Sequence, residues 1–321
     1  MVDAGMLAGG SVAITVVVPT YRRPERVSRL LTALESQHLE AARFEVVVVD
    51  DCSGDDTPEV LEDLADRVPF PMRVLSNPVN GGPGSARNRG WQAARAELVA
   101  FIDDDCVPDP QWLAAGIAAL RRNDRLGVVQ GLTLPPPGVG PGGHWAIVRS
   151  VTWETPWFEA CNIFYRRAAL AFTSGFDERL PWCGEDTAAG WAVLEAGWER
   201  DFATDAVVFH DVEERGVRWR MGRAWLERNL VDLAFEHPGL RREAFWRPWA
   251  FRADGVALAL ALVGVASARR HPMRLVSVVP YLVMRRRELG RPGVAAGSLL
   301  VDVAQLAGHL ASSIRHRRLV V

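Results

Sequence analysis

Three consecutive carboxylates, Asp103-Asp104-Asp105, follow the apolar run Val99-Ala100-Phe101-Ile102. Like charges this close repel one another, and a hard divalent cation relieves the repulsion while bridging carboxylates to a phosphate. The triplet reads as a seat for Mg²⁺ or Mn²⁺; the competing reading is a solvated turn or a helix N-cap ahead of Pro108. A second pair, Asp50-Asp51, closes the apolar run Phe44 to Val49. Its oxygens suit a base N–H or a ribose hydroxyl, although capping the next helix or pinning a turn through Ser53 would use the same residues. A third pair, Glu185-Asp186, precedes Ala188 to Ala196. It fits a carboxylate that takes a proton from a hydroxyl, and equally an acidic pair favoured by a helix dipole; the two readings are compatible. Asn80 to Gly90 is a glycine-rich loop running into a helix, where the backbone can approach a ligand and Arg87 can pair with a phosphate. It lacks the Gly-Lys-Ser/Thr ending of a Walker loop and does not follow the first strand, as a dinucleotide fingerprint would.

These clusters need strands and helices to hold them. Val12 to Val18, closed by Pro19, predicts a buried strand, and Pro24 to Ser36 predicts a helix through Val27, Leu30, Leu31 and Leu34. Phe44 to Val49 predicts the second strand, and a helix with Pro58 in its first turn carries Val60, Leu61 and Leu64. Met72 to Leu75 is a third strand, Ser85 to Arg95 a helix, Leu98 to Ile102 a fourth strand and Trp112 to Arg122 a helix. The alternation implies a mostly parallel sheet with helices on both faces, and ligands on such sheets sit beyond the C-terminal strand ends. The acidic strand ends and the glycine-rich loop fall there. Further on, Pro135 to Gly143 is a proline- and glycine-rich loop, Val207 to Phe209 a short strand running into His210, and the chain from Gly216 is helical. No internal repeat is present.

Of the 321 residues, 49% are apolar and 24% charged, the balance of a folded chain. All 37 basic residues are arginine. Residues after Arg215 carry roughly +11 and those before it roughly −13, which separates an acidic body from a basic tail. Nucleic acid fits poorly, since the acidic clusters mark the candidate site. Cys52, Cys106, Cys161 and Cys183 are scattered without a CxxC pair, which predicts free thiols and a reducing cytoplasm. Met1 to Ser11 shows no basic and apolar leader pattern, so no signal peptide is expected.

Taken in order, the motifs resemble the inverting glycosyltransferases of family 2. Val17-Val18-Pro19-Thr20-Tyr21 resembles the family's opening strand and nucleotide loop, and Val49-Asp50-Asp51-Cys52-Ser53 its second-strand acidic motif. Asn80 to Asn88 resembles its glycine-rich segment, and Phe101-Ile102-Asp103-Asp104-Asp105 its metal-binding DxD motif. Ala160 to Arg166 is similar to the segment lining the acceptor side, and Gly184-Glu185-Asp186 to the pair supplying the catalytic base. Where family members often carry an arginine a few residues later, Trp191-Ala192 stands here. The resemblance implies an α/β fold of the GT-A nucleotide-diphospho-sugar transferase type with a helical C-terminal extension. Residues 1–215 would be catalytic, with a nucleotide half near 11–125 and an acceptor half near 126–215; residues 216–321 would be the arginine-rich helical region. It further implies that Pro19, Thr20, Tyr21 and Asp51 hold base and ribose, with Arg87 along the nucleotide and Asp104 near the ribose. Asp105 would be the main metal ligand, assisted by Asp103, with His210 approaching metal or diphosphate. Asp186 would be the general base and Glu185 its orienting neighbour.

The substrates implied are a nucleotide sugar and a glycan or lipid-linked acceptor, with cell-surface glycan or polysaccharide synthesis as the setting. Among Trp153, Trp157, Trp182, Trp191 and Trp198, core packing is the usual role, and only Trp182 is expected against the acceptor. In the tail, the apolar run Gly255 to Ala266 is shorter than a bilayer span, Leu275 to Met284 is shorter still, and Leu299 to Ile314 is amphipathic. Helices lying peripherally at the inner face of a membrane, and an ordinary helical subdomain or dimer surface, both fit. Two other functions compete: a non-catalytic carbohydrate- or lipid-binding protein on the same fold, and a sugar nucleotidyltransferase. The second would be expected to use a catalytic lysine, and the chain has none.

Overall fold

The computed structural model describes residues 12–180 and 182–321. Met1 to Ser11, where no leader was expected, lie outside the described residues. The chain divides into two compact units: one runs to Gly140 and from Val148 to Val212, the other comprises Pro141–Ile147 and Glu213–Val321.

The first unit is built on an eight-stranded sheet. Its elements are β1 (Ile14–Thr20), α1 (Pro24–Glu35), β2 (Phe44–Asp50), α2 (Thr57–Ala65), β3 (Met72–Ser76), α3 (Pro83–Gln92), β4 (Leu98–Ile102), β5 (Cys106–Pro108) and α4 (Trp112–Leu120), then β6 (Leu126–Leu134), β7 (Asn162–Arg166), α5 (Arg167–Thr173), α6 (Glu185–Glu195) and β8 (Glu199–His210). Strand order is β3-β2-β1-β4-β7-β6-β8-β5. The pairs β1–β2, β2–β3 and β1–β4 are parallel, which brings Thr20, Asp50 and the residues after Ile102 to one sheet edge. Seven successive buried residues in β1 and in β2 show why these strands read as unbroken apolar runs: helices cover both faces. Val27, Leu30, Leu31 and Leu34 of α1 join the main core with Val16, Val18, Val46 and Val48. On the other face Ala86 of α3 packs with Val47 and Val49. A β-carbon on Gly90 would stand 2.3 Å from Val17 Cγ1, so the close approach of α3 to β1 requires glycine there.

Beyond β4 the sheet is mixed. β7 runs antiparallel to β4 and β6, while β6 and β8 are parallel. β7, which holds most of the Ala160–Arg166 segment likened to the family's acceptor-side lining, is a buried central strand. Asn162 accepts from Trp112 Nε1 at 2.8 Å and donates to the Leu132 and Ala206 carbonyls at 3.0 and 2.9 Å. β8 starts at Glu199, well before the expected Val207, because its polar first half pairs with β6. β5 contains Pro108 and forms the sheet edge, where a missing N–H is tolerated.

The second unit contains α7 (Val217–Leu226), α8 (Arg228–Glu236), α9 (Pro238–Ala244), α10 (Ala253–Ser267), a 3₁₀ turn (Pro272–Val278), α11 (Val279–Met284) and α12 (Pro292–His316). Pro141–Ile147 joins it through Gly143 N–H, which donates to the Glu214 carboxylate at 2.7 Å, and an Ile147–Glu213 bridge. α12 packs on α7 and α8 through polar contacts. Gln305 donates to Glu227; Asp232 accepts from Ser312 and pairs with Arg315 and His316. Among the described helices only α12 is long and apolar enough to cross a membrane, by length and composition.

Candidate active site

The polar strand ends meet at one edge of the first unit. Thr20, the last residue of β1, donates its hydroxyl to Asp104 at 2.8 Å. One strand over, Asp51 N–H donates to the Thr20 carbonyl at 2.9 Å. The Asp51 carboxylate accepts from Asn77 Nδ2 at 2.7 Å and from the Gly81 and Gly82 N–H groups at 3.1 and 2.7 Å. It thereby fixes the glycine-rich loop just before α3. Gly82 sits at φ +83°, a left-handed conformation that glycine adopts without a Cβ clash. Pro19 lies buried within β1, whereas Tyr21, just past the strand, is partly exposed with the Arg22 guanidinium 5.1 Å from its ring centre.

The acidic triplet is not three bare carboxylates. Arg23 Nη1 lies 2.8 Å from Asp104 and 3.2 Å from Asp105, and Arg26 Nη1 lies 3.2 Å from Asp105. Arg87, one turn into α3 and buried, spans Asp103 at 2.7 Å and Glu185 at 3.1 Å. Guanidinium groups thus neutralise much of the repulsion for which sequence reasoning invoked a metal. Burial disfavours the charge on Asp103, yet Arg87 outweighs it and holds the carboxyl below its usual range. Asp104 goes the other way: burial raises it to about 6 against the pull of Arg23, with the Asp105 charge adding to the rise. Burial also opposes the charge on Arg87, and Asp103, Glu185 and Asp186 more than restore it.

Asp105 faces β8. Cys106 pairs with His210 across β5 and β8, and Asp211 N–H donates to the Asp105 carbonyl at 3.0 Å. His210 Nδ1 is 2.8 Å from the Asp211 carbonyl. A carbonyl only accepts, so Nδ1 carries the hydrogen, as it does in most metal-bound histidines. In the neutral ring Nε2 then presents a lone pair toward Asp105 Oδ1, 3.4 Å away, and a shared cation or proton would complete the pair. The Asp105 oxygen, Cys106 Sγ and His210 nitrogen lie within 4.8 Å of one another. Burial pushes the Cys106 thiol far above its ordinary value, and Asp105 and His210 beside it form an oxygen–nitrogen donor set. That set fits a hard or borderline divalent ion.

Across the Arg87 bridge stands the N-terminus of α6. Gly184 at φ +98° turns the chain into the helix, and Glu185 and Asp186 occupy its first turn. Glu185 is buried and Asp186 is half-buried, with Thr187 N–H donating to Asp186 Oδ1 at 2.8 Å. Trp182 lies in the preceding segment and is 50% exposed, whereas Trp191 is packed inside, its indole N–H on the Pro156 carbonyl at 2.9 Å. The structure thus groups Thr20, Asp51, Arg87, Asp103, Asp104, Asp105, His210, Glu185 and Asp186 along linked contacts at the strand ends.

A family model described as glycosyl transferase family 2 matches residues 15–174, a span containing the glycine-rich loop and the acidic triplet. The chain belongs to glycosyltransferase family 2. This glycosyltransferase is 24% identical over 229 residues to glycosyltransferase AglE of Haloferax volcanii, covering 68% of the chain and 75% of that protein. It is 27% identical over 237 residues to the pre-mycofactocin glycosyltransferase of Mycobacterium tuberculosis, covering 70% of the chain and 48% of that protein. The chain therefore spans about half the length of the second relative. Among solved structures, the mannosyltransferase PcManGT from Pyrobaculum calidifontis, in complex with GDP-Man and Mn²⁺, superposes with a TM-score of 0.70 at 22% identity, over 93% of this chain and 86% of that one. The fold is that of the GT-A glycosyltransferases.

Three arginines of the glycosyltransferase's site escaped sequence reasoning. Arg23 and Arg26 sit at the start of α1, and the run Arg22, Arg23, Arg26, Arg29 just past the first strand was the available signal. Arg149 is half-buried in the loop between β6 and β7, where burial opposes its charge and the Asp103, Asp186 and Asp105 carboxylates favour it. Nothing local in the sequence singles it out.

Proposed function

We propose that this family 2 glycosyltransferase moves a sugar from a nucleoside-diphosphate donor to an acceptor hydroxyl in a single inverting displacement. The observation that carries the reading is the buried Arg87 bridge, which ties the triplet at Asp103 to the α6 N-terminus at Glu185. It sets the groups suited to a diphosphate beside the carboxylates suited to an acceptor hydroxyl. Thr20, Tyr21 and Asp51 lie where base and ribose would meet the strand ends, Pro19 shaping the β1 end from within the sheet. Asp51 acts there in part by holding the loop at Gly81 and Gly82. Asp104, tied to Thr20 and Arg23, would face the ribose.

Asp105 and His210 would hold Mg²⁺ or Mn²⁺, with Asp103 assisting from the Arg87 side. Such an ion supplies Lewis-acid stabilisation of charge on the departing diphosphate. Arg23, Arg26 and Arg149 add fixed positive charge at the same end, favourable as negative charge gathers on the leaving group. Asp186 would take the acceptor proton; its Oδ1 is fixed by the Thr187 N–H. Glu185, locked to Arg87, would orient that end of α6, and Trp182 would offer an exposed indole face to the acceptor sugar. A glycan or lipid-linked glycan in cell-surface polymer synthesis is the acceptor class we favour.

The test is release of nucleoside diphosphate from UDP- and GDP-sugars in the presence of an acceptor panel, comparing wild type with Asp186→Asn. The substitution should lower turnover about 10²–10⁴-fold, the usual contribution of a positioned base, with nucleotide affinity nearly unchanged. Full activity in Asp186→Asn would remove it as the base.

A further inference from the structure

α12 is built with its polarity reversed. Its buried residues are Gly297, Ser298, Asp302, Gln305, Leu306, Gly308, His309, Ser312 and Ser313, only one of them a large aliphatic, while Leu299, Leu300, Val303, Leu310 and Ile314 are exposed. A surface helix of a water-soluble unit normally does the opposite. α10 repeats the pattern. Ala257, Leu258, Ala261 and Gly264 face inward, and Leu260, Leu262, Val263 and Val265 are 47–62% exposed. A β-carbon at Gly264 would stand 2.1 Å from Ser277 Oγ and 2.5 Å from the Arg274 carbonyl oxygen. Small residues thus let the 3₁₀ turn close on α10, as they do between helices packed in lipid. The turn and α11 carry the outward pattern further, with Met273, Val276, Val279, Val283 and Met284 exposed.

The flanks of these apolar faces say what covers them. On α10, Leu262 and Ala266 share a helical face that continues at the same spacing into exposed Arg270, beside exposed Arg269. α11 runs directly into Arg285, Arg286 and Arg287, and the last turn of α12 carries Arg315 and His316 before Arg317 and Arg318. From Ala253 to Val321 ten arginines stand against Asp254, Glu288 and Asp302, and Arg285 engages the last two. Arg285, Arg315 and His316 are engaged by acids of the protein, which leaves the exposed Arg269, Arg270, Arg286, Arg287, Arg317 and Arg318 along the edge of the apolar belt. That combination matches an anionic lipid interface in both hydrophobicity and charge. We propose that α10, the 3₁₀ turn, α11 and α12 seat the protein on an anionic phospholipid bilayer. The helices lie in the interface, with the exposed leucines and valines inserted and the arginines on the headgroups. The polar face of α12 stays against α7 and α8 through Gln305 on Glu227 and Ser312 on Asp232, and against the end of α11 through Asp302 on Tyr281 and Arg285, so the helix lies on the membrane and does not cross it. A negatively charged inner leaflet supplies such a surface, which places the enzyme at the cytoplasmic face.

The inference stands apart from the sugar-transfer reading, and its test uses no enzyme activity. The full chain is sedimented with vesicles of phosphatidylcholine alone and with vesicles containing roughly a third phosphatidylglycerol, a composition chosen to give a negative surface potential. Wild type should prefer the anionic vesicles at least about tenfold. The pair Leu262→Glu with Val263→Glu, and separately Arg269→Glu with Arg270→Glu, should each lose on the order of tenfold or more of that binding. Both variants alter exposed side chains, and unchanged thermal unfolding would verify that they fold. Variants that bind like wild type, or a wild type without preference for anionic vesicles, would overturn the proposal. A lipid-free dimer that Leu262→Glu with Val263→Glu splits into monomers would also overturn it, since the face would then belong to a second copy.

Discussion

At the strand ends of the first unit, each member of the acidic triplet meets a cation or hydroxyl: Asp103 has Arg87, Asp104 has Thr20 and Arg23, and Asp105 has Arg23, Arg26 and His210. α12 of the second unit also buries polar side chains, but His309 has no hydrogen-bond partner on either nitrogen and is completely buried. In the first unit the core behind the polar groups is apolar, and the polar cluster sits where chemistry is expected. In the second, polar residues face inward because the outward face of the helix is apolar. A buried polar residue therefore has two meanings in one chain. At the strand ends it belongs to the proposed donor site; on α12 it marks the side of the helix that packs against the protein.

Two substitutions probe that contrast, the larger effect first. Arg87→Met would leave the buried Glu185 and the half-buried Asp103 without their shared cation. Breaking a buried pair from one side typically costs about 3–5 kcal/mol, so urea unfolding should show a loss of that order. A loss below about 1 kcal/mol would mean that the bridge is incidental to the first unit's stability.

The second concerns pH. Burial lowers His309 to about 4 from the ordinary 6.5, with Arg252 adding to the shift. Because the folded value lies below the unfolded one, the unfolded chain binds the extra proton in this window. Stability from the neutral ring is full above pH 6.5 and is lost as pH falls toward 4, by about 1–3 kcal/mol. His309→Leu removes the titration, so melting temperature between pH 7.5 and pH 5 should fall less than in wild type. An identical acid limb in both proteins would show that burial of His309 is relieved some other way.

Much of the first unit was legible because its parallel strands are buried on both faces, so Val12 to Val18 and Phe44 to Val49 read as apolar runs ending in polar residues. The acidic ends stand out for the same reason. Boundaries shifted where local chemistry outweighed the apolar pattern. α3 begins at Pro83, a residue preformed for the first helical turn, and ends at Gln92 instead of Arg95. β8 was recognised only in its apolar second half, since Glu199-Arg200-Asp201 has no strand signature until β6 is placed beside it. The partners of the triplet were illegible because sequence shows which carboxylates need neutralising and not which arginines reach them. α12 was visible as amphipathic over Leu299 to Ile314, but which side faces the protein required the contacts of Asp302, Gln305 and Ser312.

The most direct measurement is calorimetric titration of UDP and of GDP, with and without Mn²⁺, into wild type and Asp105→Asn. The account predicts that one nucleotide binds in a metal-dependent manner, and that Asp105→Asn, which weakens the acidic partner of His210, lowers that affinity at least about 10–100-fold. Failure of both nucleotides to bind under every condition, or an Asp105→Asn protein that binds as tightly as wild type, would contradict a donor site at these strand ends.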